Sequence, residues 1–398
     1  MKKMFYRLYQ FFMRVGSYFV SWRKPELIEG QHSIMHLSTR LIEKEYKKVL
    51  IVTDENLYKI GLMDTLISSL KKNNVFYSIY KKTVPNPSIK NVEEALKQYK
   101  ENDCEAVIAF GGGSPIDCAK GVIARLAKPK KSVQQLKGYF KIRRKTVPLI
   151  AIPTTAGSGS EATIAAVVSD GQTHEKFAIN DTKLIPNIAV LDPELMINLP
   201  KQITSTTGMD ALTHAIEAYI GKANTRETKE MAIKAIKLIF NNLEKTFFEP
   251  ENISARMNMQ KASYYAGVSF TRAYVGYVHA LSHQLGGLYS TPHGLANAVL
   301  LPNVLEYYGD SVYKKIAELY DMTMPSKKHF NNKEKTKQFI QRIRDMNETM
   351  NIPKRIEGIK IKDLDLMVLR ACKEANPHYP VPKILSKDDL KNIYQTII

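Results

Sequence analysis

A chain of 398 residues is long enough for two domains, each with its own buried core. Its three cysteines, Cys104, Cys118 and Cys372, are odd in number and far apart, which argues against a disulfide framework or a thiolate zinc knuckle and fits a reducing, cytoplasmic setting. The formal net charge of +19 arises from 58 Lys and Arg against 39 Asp and Glu. These charges are scattered, and aromatics do not alternate with the short basic clusters at 128–131 and 141–145. Nucleic-acid binding is therefore not expected, whereas the summed field favours anionic cofactors and substrates. No apolar run is long enough to span a membrane.

Residues 1–24, "MKKMFYRLYQFFMRVGSYFVSWRK", form a basic aromatic extension with no acid before Glu26. Phe5, Leu8, Phe12, Val15, Phe19 and Trp22 fall near helical spacing. Arg14 interrupts the apolar stretch and no small-residue cleavage site follows, which argues against a secretory signal. Two readings stay open: weak contact with an anionic membrane surface as an amphipathic helix, or packing against the chain's own body or a partner subunit. The second is favoured.

From about residue 48 to 192, strand-like runs alternate with helical ones. "KVLIVTD", "VFYSIY", "AVIAF", "VPLIAIP" and "IAVLD" read as strands, and residues 89–101 and 114–127 as helices. This pattern predicts parallel βα units in a doubly wound sheet. After residue 196 helical periodicity takes over. The expected organisation is an α/β dinucleotide-binding domain at 25–196 followed by an all-α domain at 197–398, with a polar loop or linker at 323–336.

Within the first domain, "AFGGGSPIDCAK" runs from strand through glycines into helix, with Ser114 as the expected N-cap, Pro115 at N1 and Asp117 at N3. Bare N–H groups at such a helix start suit an anion. The sequence is neither a GxGxxG fingerprint nor a P-loop. A second polar loop, "PTTAGSGSEAT", follows the next strand, so both lie at carboxyl ends of strands, where open α/β sheets bind ligands. Asp54 also ends a strand. It could hold a ribose hydroxyl and repel a 2′-phosphate, or simply cap the next helix.

In the second domain, Asp210 and His214 are spaced i, i+4, as are His279 and His283, so each pair shares one helical face. His293 follows after Gly-Gly and "STPHG", where the chain can turn back. These residues predict a metal site with nitrogen and oxygen donors, suited to Fe(II), Zn(II) or a related ion. Without thiolates, a catalytic site with an open position is expected rather than a structural one. The zinc-protease signature fails, because Ala280 stands where it needs Glu. A dinucleotide on the glycine loop and a metal in the helical domain together imply hydride transfer to or from an alcohol or carbonyl polarised by the metal.

"GGGSPIDCAK", "TTAGSGSE", "GMDALTHAIEAY" and "HALSHQLGGLYSTPHGLANAVLLP" resemble the iron-containing (group III) alcohol dehydrogenases. The resemblance runs from about Lys24 to the end, leaving residues 1–24 unmatched. It implies a dehydroquinate synthase-like fold, with the metal on Asp210, His214, His279 and His293. It also implies His283 near the nicotinamide as a proton relay. Gly112, Gly113, Ser114, Thr154, Thr155, Ser158, Lys176 and Asn86 would contact the dinucleotide, and Asp54 would favour NAD over NADP. Phe270 and Cys372 would line the substrate pocket, as in the lactaldehyde reductase branch. That branch carries asparagine where this chain has Ala165, which points to a simple short-chain alcohol or aldehyde as substrate. A homodimer or larger homo-oligomer is expected. The alternatives are a dehydroquinate synthase-like lyase, whose branch resembles a Glu/His/His metal set, and a zinc glycerol dehydrogenase.

Overall fold

The computed structural model describes residues 2–171, 176–324 and 329–398. The chain divides into two units, one of residues 21–199 with 251–260, the other of residues 2–20, 200–250 and 261–398.

The described residues of the first unit form nine strands: β1 (Glu26–Glu29), β2 (Lys48–Val52), β3 (Phe76–Tyr80), β4 (Ala106–Gly111), β5 (Gly138–Tyr139), β6 (Leu149–Pro153), β7 (Ala165–Ser169), β8 (Lys176–Asn180) and β9 (Ile188–Leu191). Six form a parallel sheet in the order β1-β9-β6-β4-β2-β3. Its inner strands β9, β6, β4 and β2 are apolar on both faces because both faces are covered. Leu50, Val52, Val107, Ala109, Leu149 and Ala151 point into one core with Val92, Leu96, Ala119 and Val122 of the helices Ile89–Glu101 and Gly113–Ala127. Val49, Ile51, Ile108, Phe110, Ile150 and Ile152 point into the other, with Leu37, Leu41, Leu66 and Leu70.

β2 pairs with β3 on one side and β4 on the other. The chain therefore reverses direction across the sheet at β2/β4, and the loops ending these two strands flank the switch point where doubly wound sheets bind ligands. The smaller sheet, β5-β8-β7, contains an antiparallel β7–β8 pair. The sequence reading missed that pair and β1, whose four residues "ELIE" are too few to show a period. Residues 251–260 return to this unit through Gln260, whose Nε2 donates to the carbonyls of Pro153 (3.3 Å) and Asp192 (3.1 Å) at the ends of β6 and β9.

The second unit is helical. Its long elements include Lys201–Ile220, Arg226–Phe248, Tyr277–Tyr289, His293–Tyr308, Asp310–Thr323, Asn332–Thr349 and Leu364–Ala375. The polar stretch expected at 323–336 is shorter as a loop. Asn331 and Glu334 form a reciprocal capping box that starts a helix at Asn332, and residues 325–328 lie outside the described ones. Among the described residues no helix is long and apolar enough to cross a membrane.

Candidate metal centre and nucleotide loops

Asp210 and His214 lie one turn apart on the buried helix Lys201–Ile220, and His279 near the start of Tyr277–Tyr289. Ser290 ends that helix in the left-handed conformation (φ 54°), and His293 opens the next one. The return loop thus brings His293 back to the pair. One donor atom from each of Asp210, His214, His279 and His293 lies within 4.8 Å of all the others. Asp210 Oδ1 stands 3.5 Å from His293 Nε2, 3.8 Å from His279 Nε2 and 3.9 Å from His214 Nδ1. Donors about 2.1 Å from one ion would stand about 3.4 Å apart in a tetrahedron. The four residues fit a divalent first-row metal with little adjustment. Three of them are buried, while the His293 side chain is 39% exposed, which leaves approach from its side.

Burial first, and then the neighbouring imidazoles of His214, His293 and His283, hold His279 well below its ordinary range. Neutral imidazoles present lone pairs to a metal. The tautomer follows from Glu217, which the sequence reading passed over. Its carboxylate lies 2.6 Å from His279 Nδ1 and accepts from the backbone N–H of Gly276 (2.7 Å) and Val278 (2.8 Å). Burial pushes Glu217 up to about 8 even against the lowering effect of the converging N–H groups. With Nδ1–H donated to Glu217, His279 Nε2 is free to bind. Gly276 is required here, since a Cβ would meet Glu217 Oε1 at 2.6 Å. The signal was available: Glu217 is i+7 from Asp210, on the same helical stripe. Asn297, one turn after His293, was missed too. Its Nδ2 donates to Asp210 Oδ1 (2.7 Å) and lies 3.1 Å from His293 Nε2 and 3.3 Å from His279 Nε2.

His283 stands outside the group of four. Its ring stacks on His293 at 5.2 Å, and its Nδ1 meets Glu374 at 2.6 Å. Glu374 also accepts from Tyr379 Oη (2.9 Å) and Gln284 Nε2 (3.0 Å). Phe270 stacks on His214 with ring centres 4.1 Å apart. Cys372 is half-buried two residues before Glu374, with its thiol raised by burial.

In the α/β unit the helix after β4 begins at Gly113 with Gly112 as N-cap, not at Ser114. The Ser114 hydroxyl instead accepts from the backbone N–H of Asn86 (3.2 Å), and Asn86 Oδ1 accepts from Lys176 Nζ (2.7 Å). Gly111 sits at φ 146°, where a Cβ would strike Pro115, and Cβ atoms on Gly112 and Gly113 would crowd Thr155 and Ser158 at 3.3 and 3.1 Å. The two loops thus press together, joined by the Thr154 N–H to the Gly111 carbonyl (3.1 Å). Asp54 caps the following helix, one oxygen accepting from Leu57 N–H (2.9 Å).

Asp117, expected at N3, is half-buried and turned inward instead, accepting from Ser160 Oγ (2.8 Å) and Val167 N–H (3.1 Å). Lys120, one turn on, is fully buried and donates to Ser160 Oγ, the Thr163 hydroxyl and the carbonyls of Thr163 and Ala165, at 2.8–3.0 Å. Beside them burial pushes the Glu161 carboxyl up to about 7 from 4.5. Because its folded value is raised, its contribution to stability is present below pH 4.5 and lost as pH rises toward 7. Glu161→Gln should therefore raise the urea midpoint at pH 8 clearly more than at pH 5. An equal shift at both would place the carboxyl's titration in the ordinary range.

Residues 25–193 match the family described as iron-containing alcohol dehydrogenase, and residues 204–398 match its C-terminal domain. The chain belongs to the iron-containing alcohol dehydrogenase family. Alcohol dehydrogenase 4 of Saccharomyces cerevisiae is 38% identical over 351 residues, 87% of this chain and 90% of the yeast protein. The NAD-dependent methanol dehydrogenase of Bacillus methanolicus is 34% identical over 359 residues, 89% and 94% of the two chains. A crystal structure of a 1,3-propanediol oxidoreductase superposes with a TM-score of 0.91 at 34% identity, covering 95% of this chain and 99% of the other. An iron-containing alcohol dehydrogenase interconverts alcohols and aldehydes, and the parallel sheet followed by helices is its fold.

Proposed function

We propose that the chain is a metal-dependent alcohol dehydrogenase that uses NAD on a short-chain alcohol or aldehyde. The observation that carries this reading is the buried convergence of Asp210, His214, His279 and His293 around one point. A divalent ion held there, Fe(II) or Zn(II), supplies Lewis acidity toward the substrate oxygen, and NAD supplies the hydride acceptor. Glu217 fixes the tautomer of His279, and Asn297 orients Asp210, whose carboxylate oxygen has a second lone pair for the metal. His283, held by Glu374, is suited to keep or pass a proton next to the donor group. Phe270, stacked on His214, presents an apolar wall suited to a short alkyl chain.

For the dinucleotide, the helix start at Gly112, Gly113 and Ser114 offers N–H groups to a pyrophosphate. Thr154, Thr155 and Ser158 add hydroxyls, and the Asn86–Lys176 pair adds a cation. Asp54, at the end of β2, leaves its second carboxylate oxygen for a ribose hydroxyl. The NAD-dependent bacillary relative points the same way. Asp54→Asn keeps the cap but removes the charge, and should raise kcat/KM with NADP relative to NAD about tenfold or more. A wild type that already prefers NADP would contradict this role. The substrate class is tested by following NADH absorbance anaerobically with Fe(II)-loaded protein. The panel runs from methanol to butanol, with 1,2- and 1,3-propanediol, glycerol and the matching aldehydes. Turnover of the short monoalcohols above glycerol is expected, and no turnover of any would overturn the reading.

A further inference from the structure

The helix Lys2–Ser17 is seated on the helical unit by its polar side. Arg7 donates to the carbonyls of Val381 (2.7 Å) and Pro382 (3.0 Å). Buried Gln10 donates to those of Pro377 (3.2 Å) and Tyr379 (2.8 Å), and Tyr9 Oη meets His378 at 3.2 Å. The opposite side is bare. Met4, Phe5, Leu8, Phe11, Phe12 and Val15 are between 39% and 74% exposed, and Phe19 beyond the helix is 86% exposed. At about 100° per residue, the six helical positions fill one continuous arc of roughly 120°. An amphipathic helix ordinarily buries its apolar arc against the core. Here the sixteen-residue helix does the reverse, and the family match begins only at residue 25. The fold shared with the family does not need this face.

We propose that this face docks the protein on an anionic phospholipid surface. The charge pattern selects that occupant over a second copy of the chain. Past one edge of the apolar arc come Arg7, which is turned to the body, then Arg14 and Lys3 at about 60° and 80°; Lys2 lies about 60° past the other edge, and no acid occurs in the sequence before Glu26. Two such helices face to face would bring like charges together on a chain that already carries +19. Anionic headgroups complement them, and the aromatic-rich arc suits the boundary between headgroups and acyl chains. Each basic residue near such a surface contributes roughly fivefold to binding.

The test is co-sedimentation of the full-length protein with phosphatidylcholine vesicles, with and without 30 mol% phosphatidylserine (roughly the anionic load of a cytoplasmic leaflet). Sedimentation velocity is run in parallel. Wild type should bind the anionic vesicles at least tenfold better than the neutral ones. Phe5→Glu/Phe12→Glu should lose that binding with alcohol turnover unchanged. Lys3→Glu/Arg14→Glu, which leaves the apolar arc intact, should reduce it by about tenfold or more. Absence of vesicle binding, equal binding to neutral vesicles, or full binding by the Phe5/Phe12 variant would each overturn the proposal. So would self-association of wild type that these glutamates abolish in the absence of vesicle binding, which would assign the face to a second copy.

Discussion

His279→Ala loses the bound metal and lowers alcohol turnover by about a hundredfold or more. Removing a partner outside the coordination shell typically weakens metal affinity by 10–100-fold, and this substitution removes a donor itself. It also strips the buried Glu217 of the imidazole N–H it accepts, leaving it to the backbone N–H groups of Gly276, Val278 and residue 279. Glu217→Gln, which keeps the volume, should show the smaller effect, a 10–100-fold weaker metal. Elemental analysis of purified variants beside NADH-based turnover checks both. Stoichiometric metal in His279→Ala would remove this residue from the ligand set.

Lys120→Met destabilises the α/β unit by about 3–5 kcal/mol, the range found when one member of a buried charged cluster is removed. The lysine's three ammonium N–H groups are shared among two hydroxyls and two carbonyls, and its charge opposes the burial penalty on Asp117 and Glu161. Methionine fills the space but leaves those acceptors unmatched. Burial lowers the lysine itself to about 8. The cluster braces the loop carrying Thr154, Thr155 and Ser158, so weaker NAD binding should accompany the loss. Urea unfolding with NAD titration measures both. A midpoint within error of wild type would show that the cluster is not a structural brace.

Much of this was legible in the sequence because the strongest signals are local. β2, β4 and β6 are short runs rich in Val, Ile and Leu, β4 ending in glycines and β6 bracketed by prolines, and their positions follow from composition alone. The paired spacings of Asp210/His214 and His279/His283 define a helical face before any fold is known. What stayed hidden depends on contacts distant in sequence. Spacing alone puts Glu217 on the stripe of Asp210, but its bond to His279, and that of Glu374 to His283, join residues 62 and 91 positions apart. The helix start was misplaced by two residues because Ser114 is a good cap by type. In the fold its hydroxyl is already engaged by Asn86, so the extended backbone of Gly112 takes the cap position. The N-terminal helix was readable as amphipathic, but not that its polar side would face the body. That choice is made by the carbonyls of 377–382, nearly four hundred residues away.

The central claim is that Asp210, His214, His279 and His293 hold one metal on which the reaction depends. The most direct measurement is anaerobic titration of chelator-stripped protein with Fe(II) and, separately, Zn(II), following metal content and NADH formation from a short alcohol together. Turnover absent in the stripped protein, and returning in proportion to metal up to one ion per chain, is the predicted result. Turnover that persists with no detectable metal, or saturates at a stoichiometry unchanged by His279→Ala, would contradict it.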